Sequence, residues 1–283
     1  MGKVVAKSAA AVSGATPSAI TPNVATSSVA TASVLSWLTE TLEPARFSDY
    51  CPNGLQVQGK PSIGRVLTGV TASLALIEAA IERQADAVLV HHGWFWRGED
   101  PTIRSQKHQR LSRLLAHDIN LFAYHLPLDA HPVLGNNAQL AWHMGWAVER
   151  DLQENPVTAG PSDLIWFGRP STDCNLAEFT QQIAHRLQRE PTVIGDPKQP
   201  CRRIAWCTGA AQGMFEAAIN AGADVFVTGE ISEPSAHLAR ELGVSFISAG
   251  HHATERYGVA ALGVALQDAL GVTVEFLDID NPA

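Results

Sequence analysis

The sequence has no apolar run close to the ~20 residues that a membrane-spanning helix requires, although 46% of its residues are hydrophobic. We therefore expect a protein that does not associate with membranes. Basic residues are also scarce, with 20 lysines and arginines against 28 aspartates and glutamates and a net charge of −8. This balance lacks the electrostatic footprint of a nucleic-acid-binding surface, so we expect no nucleic-acid partner.

Cysteine is rare, and its spacing excludes two classes of site. The four cysteines contain no CxxC pattern; they are Cys51, Cys174, Cys201 and Cys207. The sequence therefore predicts neither a zinc ribbon nor a disulfide framework, and reduced thiols in a cytoplasmic protein are the favoured interpretation. A glycine-rich phosphate loop is also absent, so no such motif identifies a nucleotide substrate.

The first part of the chain differs in composition from the rest. Residues 1–32 are rich in alanine, serine and threonine, contain no acidic residue and have no coherent hydrophobic period. Such a segment buries too little apolar surface to offset its chain entropy, so we predict a disordered leader. It lacks the apolar core of a secretory signal, and its only basic residues, Lys3 and Lys7, are few for an organellar transit peptide.

From residue 33 onward, short apolar runs alternate with amphipathic stretches. The predicted strands are 65–70, 86–90, 119–124, 163–167, 203–207, 224–228, 244–248 and 272–277. The predicted helices are 34–42, 73–84, 104–117, 136–144, 175–189, 211–221, 233–242 and 252–269. This alternation indicates an α/β fold with mixed, largely parallel sheets.

The chain also shows an internal repeat. Residues 65–93 resemble residues 203–230 at an offset of 138, so that Ala85-Asp86 matches Ala223-Asp224. Chance similarity between two amphipathic α/β units is the alternative explanation. The repeat predicts two related α/β lobes, 33–148 and 149–246, followed by a C-terminal segment, 247–283. It also places Glu230 at the position of His92.

Polar residues cluster where predicted strands end, which is where α/β folds gather functional groups. The residues concerned are His91 and His92 in VLVHHG, His125 and Asp129 in HLPLDAH, and His251 and Glu255 in GHHATE. Each motif has an ordinary structural explanation, such as a surface histidine pair, a turn or a solvated helical pair. Taken together they favour a metal site with imidazole and carboxylate ligands, and zinc, manganese, iron, cobalt and nickel remain open.

An aromatic cluster follows the first histidine pair. Trp94, Phe95 and Trp96 are typical of core or subunit-interface packing, which is the favoured interpretation. The alternative is a stacking wall for a heteroaromatic substrate.

Several longer motifs carry a family resemblance. They are CPNGLQVQG (51–59), VHHG (90–93), HLPLDAHPVLGNNAQL (125–140), TGE (228–230) and GHHATER (250–256). With them, the chain resembles the Nif-three-like family from about residue 33 to its end. The resemblance implies a ring-shaped homohexamer with two divalent metal ions per subunit, held in the cleft between the lobes. The C-terminal segment would return to that site.

The resemblance also implies roles for individual residues. His92 and Asp129 would bind one ion, His91 and His251 the other, and Glu255 would bridge both. Members named GTP cyclohydrolase 1 type 2 suggest a hydrolase that opens a purine ring, or performs another hydrolysis, with a metal-bridged hydroxide. Our own hypothesis is that the proton is carried by Glu230, which falls at the repeat position of His92, or by His125, which lies close to Asp129 in the sequence. The substrate would be a small molecule, for which a nucleotide is one candidate. The alternative function is that of a non-enzymatic hexameric ring, which acts as a metal-binding scaffold or regulatory interaction protein. Metal storage or chaperoning is a further alternative.

Overall fold

The computed structural model describes residues 27–283, so most of the predicted leader lies outside the described residues. In chain order the strands are β1 (Val29–Ala30), β2 (Gly54–Val57), β3 (Ser62–Ile63), β4 (Arg65–Thr71), β5 (Ala87–His92), β6 (Asn120–Ala123), β7 (Ala147–Val148), β8 (Thr158–Ala159), β9 (Ile165–Arg169), β10 (Thr192–Ile194), β11 (Ile204–Trp206), β12 (Val225–Thr228), β13 (Ser245–Ser248) and β14 (Thr273–Phe276). The helices are α1 (Thr31–Leu42), α2 (Leu74–Glu82), α3 (Ser105–Ala116), α4 (Leu126–Ala130), α5 (Asn136–Met144), α6 (Leu176–Leu187), α7 (Phe215–Asn220), α8 (Glu233–Leu242) and α9 (His251–Leu270).

Every strand and helix predicted from the sequence has a counterpart in the structure, and the local signals explain their ends. Ser73 caps α2 by accepting a hydrogen bond from the backbone N–H of Leu76 at 3.2 Å. Gly243 ends α8 in the left-handed conformation, with φ of 68°. Residues 29–32, which the prediction assigns to the leader, form β1 and the start of α1.

The first sheet has the strand order β14-β4-β5-β6-β2 and is parallel except for β2. Alternate residues of β5 point to opposite faces of the sheet. Val88 and Val90 pack in one core cluster with Leu76 of α2, whereas Leu89 packs in another with Leu38 of α1. The strand ends that carry the histidines are therefore held in a sheet buried on both faces.

The second sheet has the order β10-β13-β12-β11-β9-β7, with β8 also paired to β9. Only β11, β12 and β13 are parallel to one another. The expectation of a largely parallel sheet is therefore wrong for this lobe. A parallel neighbour needs a crossover connection, usually a helix, and the chain from β7 through β8 to β9 has only a single 3₁₀ turn. Those strands pair antiparallel.

The chain returns to the first lobe at its C-terminal end. Helix α9 follows β13 of the second sheet, yet Leu262 and Leu266 pack in the core of the first lobe. Ala253, in the first turn of α9, packs in the core of the second lobe. Strand β14 then pairs parallel with β4. Within residues 27–283, none of the helices is both long and apolar enough to cross a membrane.

Equivalent hydrogen bonds support the internal repeat. The Asp86 carboxylate accepts from the backbone N–H of Arg65 at 3.0 Å, and the Asp224 carboxylate accepts from that of Arg203 at 2.9 Å. In return, the N–H of each aspartate donates to the carbonyl of the same arginine at 2.8 Å. Both pairs are related by the offset of 138, so the two lobes build their strand starts in the same way.

Candidate metal site

The residues predicted as metal ligands come together at the end of β5, in α4 and at the start of α9. His91 and His92 are the last residues of β5. Asp129 lies in α4, directly after β6. His251 and Glu255 occupy the first turn of α9, where the chain leaves the second sheet. Their i, i+4 spacing puts both side chains on one face of the helix.

Glu255 is the centre of the cluster, and its side chain is only 3% exposed. Its Oε1 lies 3.5 Å from His91 Nε2. Its Oε2 lies 3.3 Å from His92 Nε2 and 3.2 Å from His251 Nε2. The two carboxylate oxygens therefore face different imidazoles, which is the arrangement expected of a carboxylate that bridges two cations.

The pairing of the other residues differs from the prediction. His91 lies with Asp129, whose Oδ1 is 3.4 Å from His91 Nε2. His91, Asp129 and Glu255 form one group of donors within 4.8 Å of one another, and His92, His251 and Glu255 form another. The prediction placed His92 with Asp129 and His91 with His251, whereas the structure groups these side chains differently, because adjacent residues at the end of β5 point to opposite sides. Which ligands share an ion stays a prediction.

The hydrogen bonds of His91 prepare it to be a ligand. Its ring is fully buried, and Nδ1 lies 3.0 Å from the carbonyl oxygen of Tyr124. A carbonyl can only accept, so Nδ1 carries the proton and Nε2 presents its lone pair. Among the described residues, Nε2 of His91 and Oε2 of Glu255 have no partner in hydrogen-bond geometry. Buried polar atoms are nearly always satisfied, so these two indicate a cation site.

Neighbouring polar side chains also contact the other residues of the cluster, on the side away from Glu255 in the case of the two histidines. The Thr71 hydroxyl lies 3.3 Å from His92 Nδ1, and a Glu230 oxygen lies 2.7 Å from His251 Nδ1. Asp129 Oδ1 accepts from the side-chain amide of Asn136 at 2.8 Å. Such contacts fix the orientation of metal ligands.

The carboxylates of the cluster favour positive charge at His91 but not at His92, where burial lowers the pKa to about 3. Burial alone would lower the pKa of His91, but Asp129 and Glu255 outweigh it and raise the pKa to about 9. Burial likewise favours the neutral acid of Glu255, yet the charges of His92 and His91 hold its pKa well below the usual range. A divalent cation can supply this positive charge in place of a proton.

The donor set consists of nitrogen and oxygen atoms. The thiol of Cys207 lies near Asp129 and Glu255, but it is buried, and burial raises its pKa well above the usual value. A protonated thiol is a poor ligand. Imidazole and carboxylate donors fit a first-row divalent metal such as zinc, manganese, iron, cobalt or nickel. The residues present therefore fit divalent metal ions of this class.

His125, predicted as a proton carrier, lies against the cluster. Its ring centroid is 5.2 Å from that of His91 and 5.7 Å from that of His92. Its Nδ1 lies 2.7 Å from Asp49 Oδ1. Asp49 was not predicted, because it lies in an irregular segment away from the strand ends that mark the other residues.

Glu230, the other predicted proton carrier, lies behind His251. It contacts Nδ1 of that ring, whereas Glu255 faces Nε2. Its second carboxylate oxygen lies 3.3 Å from the side-chain amide of Gln212. The repeat placed Glu230 at the position of His92, but the two side chains do different work. Glu230 contacts the His251 imidazole on the side away from Glu255, and its predicted part in proton transfer stays a prediction.

A cavity of about 540 Å³ opens beside the cluster. Tyr50, Trp96 and Arg110 line it from the first lobe, and Thr208 and Met214 line it from the second. The cavity is large enough to hold a small-molecule ligand.

The aromatic cluster divides between the two interpretations. Trp94 is buried, and its indole N–H donates to the carbonyl of Ala72 at 3.0 Å. Trp96 lines the cavity, with its ring centroid 5.0 Å from that of His125. Packing therefore describes Trp94, whereas stacking on a substrate stays a prediction for Trp96.

Comparison with known proteins gives a consistent set of relatives. A family model described as Duf34/NIF3 (NGG1p interacting factor 3) matches residues 29–282. A Neisseria meningitidis serogroup B protein is 51% identical over 249 residues, which is 88% of this chain and 97% of the relative. A Pseudomonas aeruginosa protein is 52% identical over 242 residues, 86% of this chain and 94% of the relative. Both are described as a GTP cyclohydrolase 1 type 2 homolog.

Solved structures show the same similarity. Protein ybgI, described as of unknown function, superposes with a TM-score of 0.84 at 46% identity, covering 90% of this chain and 100% of that one. The protein TTHA1606 from Thermus thermophilus superposes with a TM-score of 0.77 at 30% identity and the same coverage.

Proposed function

This chain belongs to the Duf34/NIF3 family, which confirms the resemblance seen in its sequence, and from that premise we propose that it is a hydrolase dependent on two divalent metal ions. The proposed ligands are His91 and Asp129 for one ion, His92 and His251 for the other, and Glu255 for both. When bound, two such ions acidify water and neutralise the charge that develops on a substrate during hydrolysis.

The position of Glu255 is the observation that supports this function best. A buried carboxylate with imidazoles at both of its oxygens has little structural use. Burying so many titratable groups costs stability unless they are paired with charge. A site that tolerates this cost for metal binding, next to a cavity, is typical of catalysis.

We assign proton transfer to His125. Its ring lies between the ligand histidines and Trp96, and Asp49 holds its Nδ1. Because Asp49 accepts at Nδ1, the Nε2 atom of His125 is free to take up or deliver a proton in the cavity. Glu230 acts as a positioning residue for His251.

The substrate is proposed to be a small molecule. The name GTP cyclohydrolase 1 type 2 homolog, given to the relatives, makes purine ring opening of a nucleotide the first reaction to test. Hydrolysis of a phosphoester or an amide would use the same residues, because the metal site by itself does not define a substrate.

We also propose that six copies form a ring, as the family resemblance implies. Two large apolar side chains, Val133 and Trp142, are 64% and 79% exposed. Both lie at a surface cavity of about 370 Å³. Exposed apolar side chains grouped in this way often mark a subunit interface, and Trp142→Asp should lower the mass measured by light scattering.

The decisive experiment combines metal analysis with a substrate screen. The protein is purified without added metal, analysed for metal content, and assayed on nucleotides, phosphoesters and cyclic amides before and after chelation. We expect hydrolysis that disappears with the metal, returns on reloading, and is lost in the His91→Ala, Glu255→Ala double variant.

The matched control is His237→Ala. His237 forms an i, i+4 pair with Glu233 at 2.8 Å, the same spacing as His251 and Glu255, but on an exposed helix face. This variant should keep both metal and activity. Metal-bound protein that is inactive on every substrate, with metal-independent binding of a partner, would favour the hexameric scaffold instead.

A further inference from the structure

Arg110 stands on the wall of the cavity beside the candidate metal site. It belongs to α3, on the first lobe, and the cavity also exposes His92, His125 and Glu255. Among the described residues that line this cavity, Arg110 is the only lysine or arginine. A fixed positive charge therefore faces the space where a substrate would lie.

Arg110 lacks an anionic partner of its own. In the described part of the chain, its Nε atom is buried and has no hydrogen-bond partner. Glu99 lies close enough to favour the charged form of Arg110, but its two oxygens are already used. One pairs with Lys107 at 3.0 Å, and the other accepts from the backbone N–H of Trp96 at 3.2 Å.

Arg110 is partly buried, which makes the absence of an anionic partner energetically unfavourable. Burial lowers the pKa of the guanidinium, yet an arginine remains protonated in proteins, so the charge persists. A partly buried cation without a partner is stabilised by any anion that reaches it. The planar fork of the guanidinium matches the two oxygens of a phosphate or a carboxylate.

We infer that Arg110 binds an oxyanion of the substrate, a phosphate or a carboxylate, while the rest of the substrate extends toward the candidate metal site. The inference rests on the proposed function for its setting, since it names the class of substrate for that cavity. Arg110 thereby selects anionic substrates over neutral ones of the same shape.

The test measures anion binding and needs no turnover. Metal-loaded, full-length protein is titrated with inorganic phosphate and separately with acetate by isothermal calorimetry, in the wild type and in Arg110→Gln. We expect Arg110→Gln to weaken phosphate binding about 10- to 100-fold, the loss expected for charge-assisted hydrogen bonds. Arg110→Lys keeps the positive charge but not the planar guanidinium, so it should lose less phosphate affinity. Because it is the milder substitution, it also keeps the test valid if Arg110→Gln fails to fold.

The matched control is Arg113→Gln, on the same helix. Its guanidinium pairs with Glu78 at 3.2 Å and does not line the cavity, so phosphate affinity should stay unchanged. Tighter binding of phosphate than of acetate indicates an organophosphate substrate, and the reverse indicates a carboxylate. Absence of anion binding in the wild type, or equal binding in the wild type and Arg110→Gln, overturns the inference. If no hydrolysis is found while binding still depends on Arg110, the proposed function fails and this inference stands.

Discussion

Asp49 holds His125 by a hydrogen bond of 2.7 Å between its Oδ1 and the histidine Nδ1. The same carboxylate accepts from the side-chain amide of Asn53 at 2.8 Å and from the backbone N–H of Leu126 at 3.0 Å. Burial would raise the pKa of Asp49, but the hydrogen bonds from His125 and Asn53 lower it to about 2. Asp49 is therefore ionised at neutral pH and fixes the tautomer of His125.

Asp49→Asn should reduce turnover while leaving the metal in place. The amide cannot replace the carboxylate as a charged acceptor at His125 Nδ1, so general acid–base catalysis should weaken by about 10²- to 10⁴-fold in kcat. Steady-state kinetics over a range of pH, with metal analysis of the same samples, tests this. If the variant has a normal kcat and an unchanged pH profile, His125 takes no part in proton transfer.

Glu230→Gln should weaken metal binding at His251. The glutamate accepts from His251 Nδ1 at 2.7 Å, and loss of such a supporting contact typically reduces metal affinity about 10- to 100-fold. Competition with a chelator measures the affinity. Excess metal should restore activity to Glu230→Gln, whereas an inactive variant with full metal content would make Glu230 the proton carrier after all.

Gly209→Ala should displace Glu255. Gly209 has a φ of +69°, and a Cβ there would collide with Glu255 Oε1. The left-handed conformation adds roughly 1–2 kcal/mol of strain for any other residue. We expect metal affinity to fall about 10-fold or more, measured by elemental analysis after dialysis. Gly213→Ala is the control, because nothing lies within 4 Å of a Cβ at that position; equal metal loss in both variants would contradict the explanation.

Trp94→Ala and Trp96→Ala should have different effects. Trp94 is buried, so its loss should lower the free energy of unfolding by about 3–5 kcal/mol in a urea titration. Trp96 lines the cavity, so its loss should raise KM roughly 2- to 10-fold for an aromatic substrate. The stacking role is disproved if Trp96→Ala leaves KM unchanged for aromatic substrates.

Asp86→Asn should make stability less dependent on pH. Burial opposes the charge of Asp86, but hydrogen bonds from Lys60, Gly64 and Arg65 lower its pKa. A lowered pKa means that the ionised carboxylate stabilises the fold above about pH 4, and that this contribution disappears as the pH falls through the folded-state pKa.

At pH 7 the free energy of unfolding of the Asp86→Asn variant should therefore be about 1–3 kcal/mol lower than that of the wild type. The difference should narrow below about pH 4, as urea titrations at several pH values would show. Asp268→Asn, at an exposed position of α9, serves as the control and should match the wild type throughout. A difference that stays constant down to about pH 3 would contradict this account of Asp86.

The sequence was sufficient to predict the main strands and helices and the residues that meet at the site. Histidines and carboxylates that follow apolar runs strongly indicate a functional site, because the ends of neighbouring strands bring their side chains to one edge of the sheet. The grouping of His91 with Asp129 was not predictable, since it depends on which way each side chain points at the end of β5. The short strands β7, β8 and β10 of the second sheet were missed because two or three residues show no period.

No sequence pattern of this kind identified Asp49 or Arg110. Asp49 lies in an irregular segment, and its role depends on contacts with residues 53, 125 and 126. Arg110 lies on α3, whose pattern is that of an ordinary charged surface helix. Only the packing of α3 against the first sheet shows that this arginine reaches the cavity.

The return of α9 and β14 to the first lobe has a consequence for synthesis of the protein. The edge strand β14 pairs with β4, more than 200 positions earlier in the chain (65 against 273), so the first sheet cannot be completed until the second lobe has been made. His251 and Glu255 arrive with the same late segment. Domains generally fold as units while the chain emerges from the ribosome. For this protein the proposed metal ligands can come together only after the start of α9 has been made, so the full ligand set forms late in synthesis.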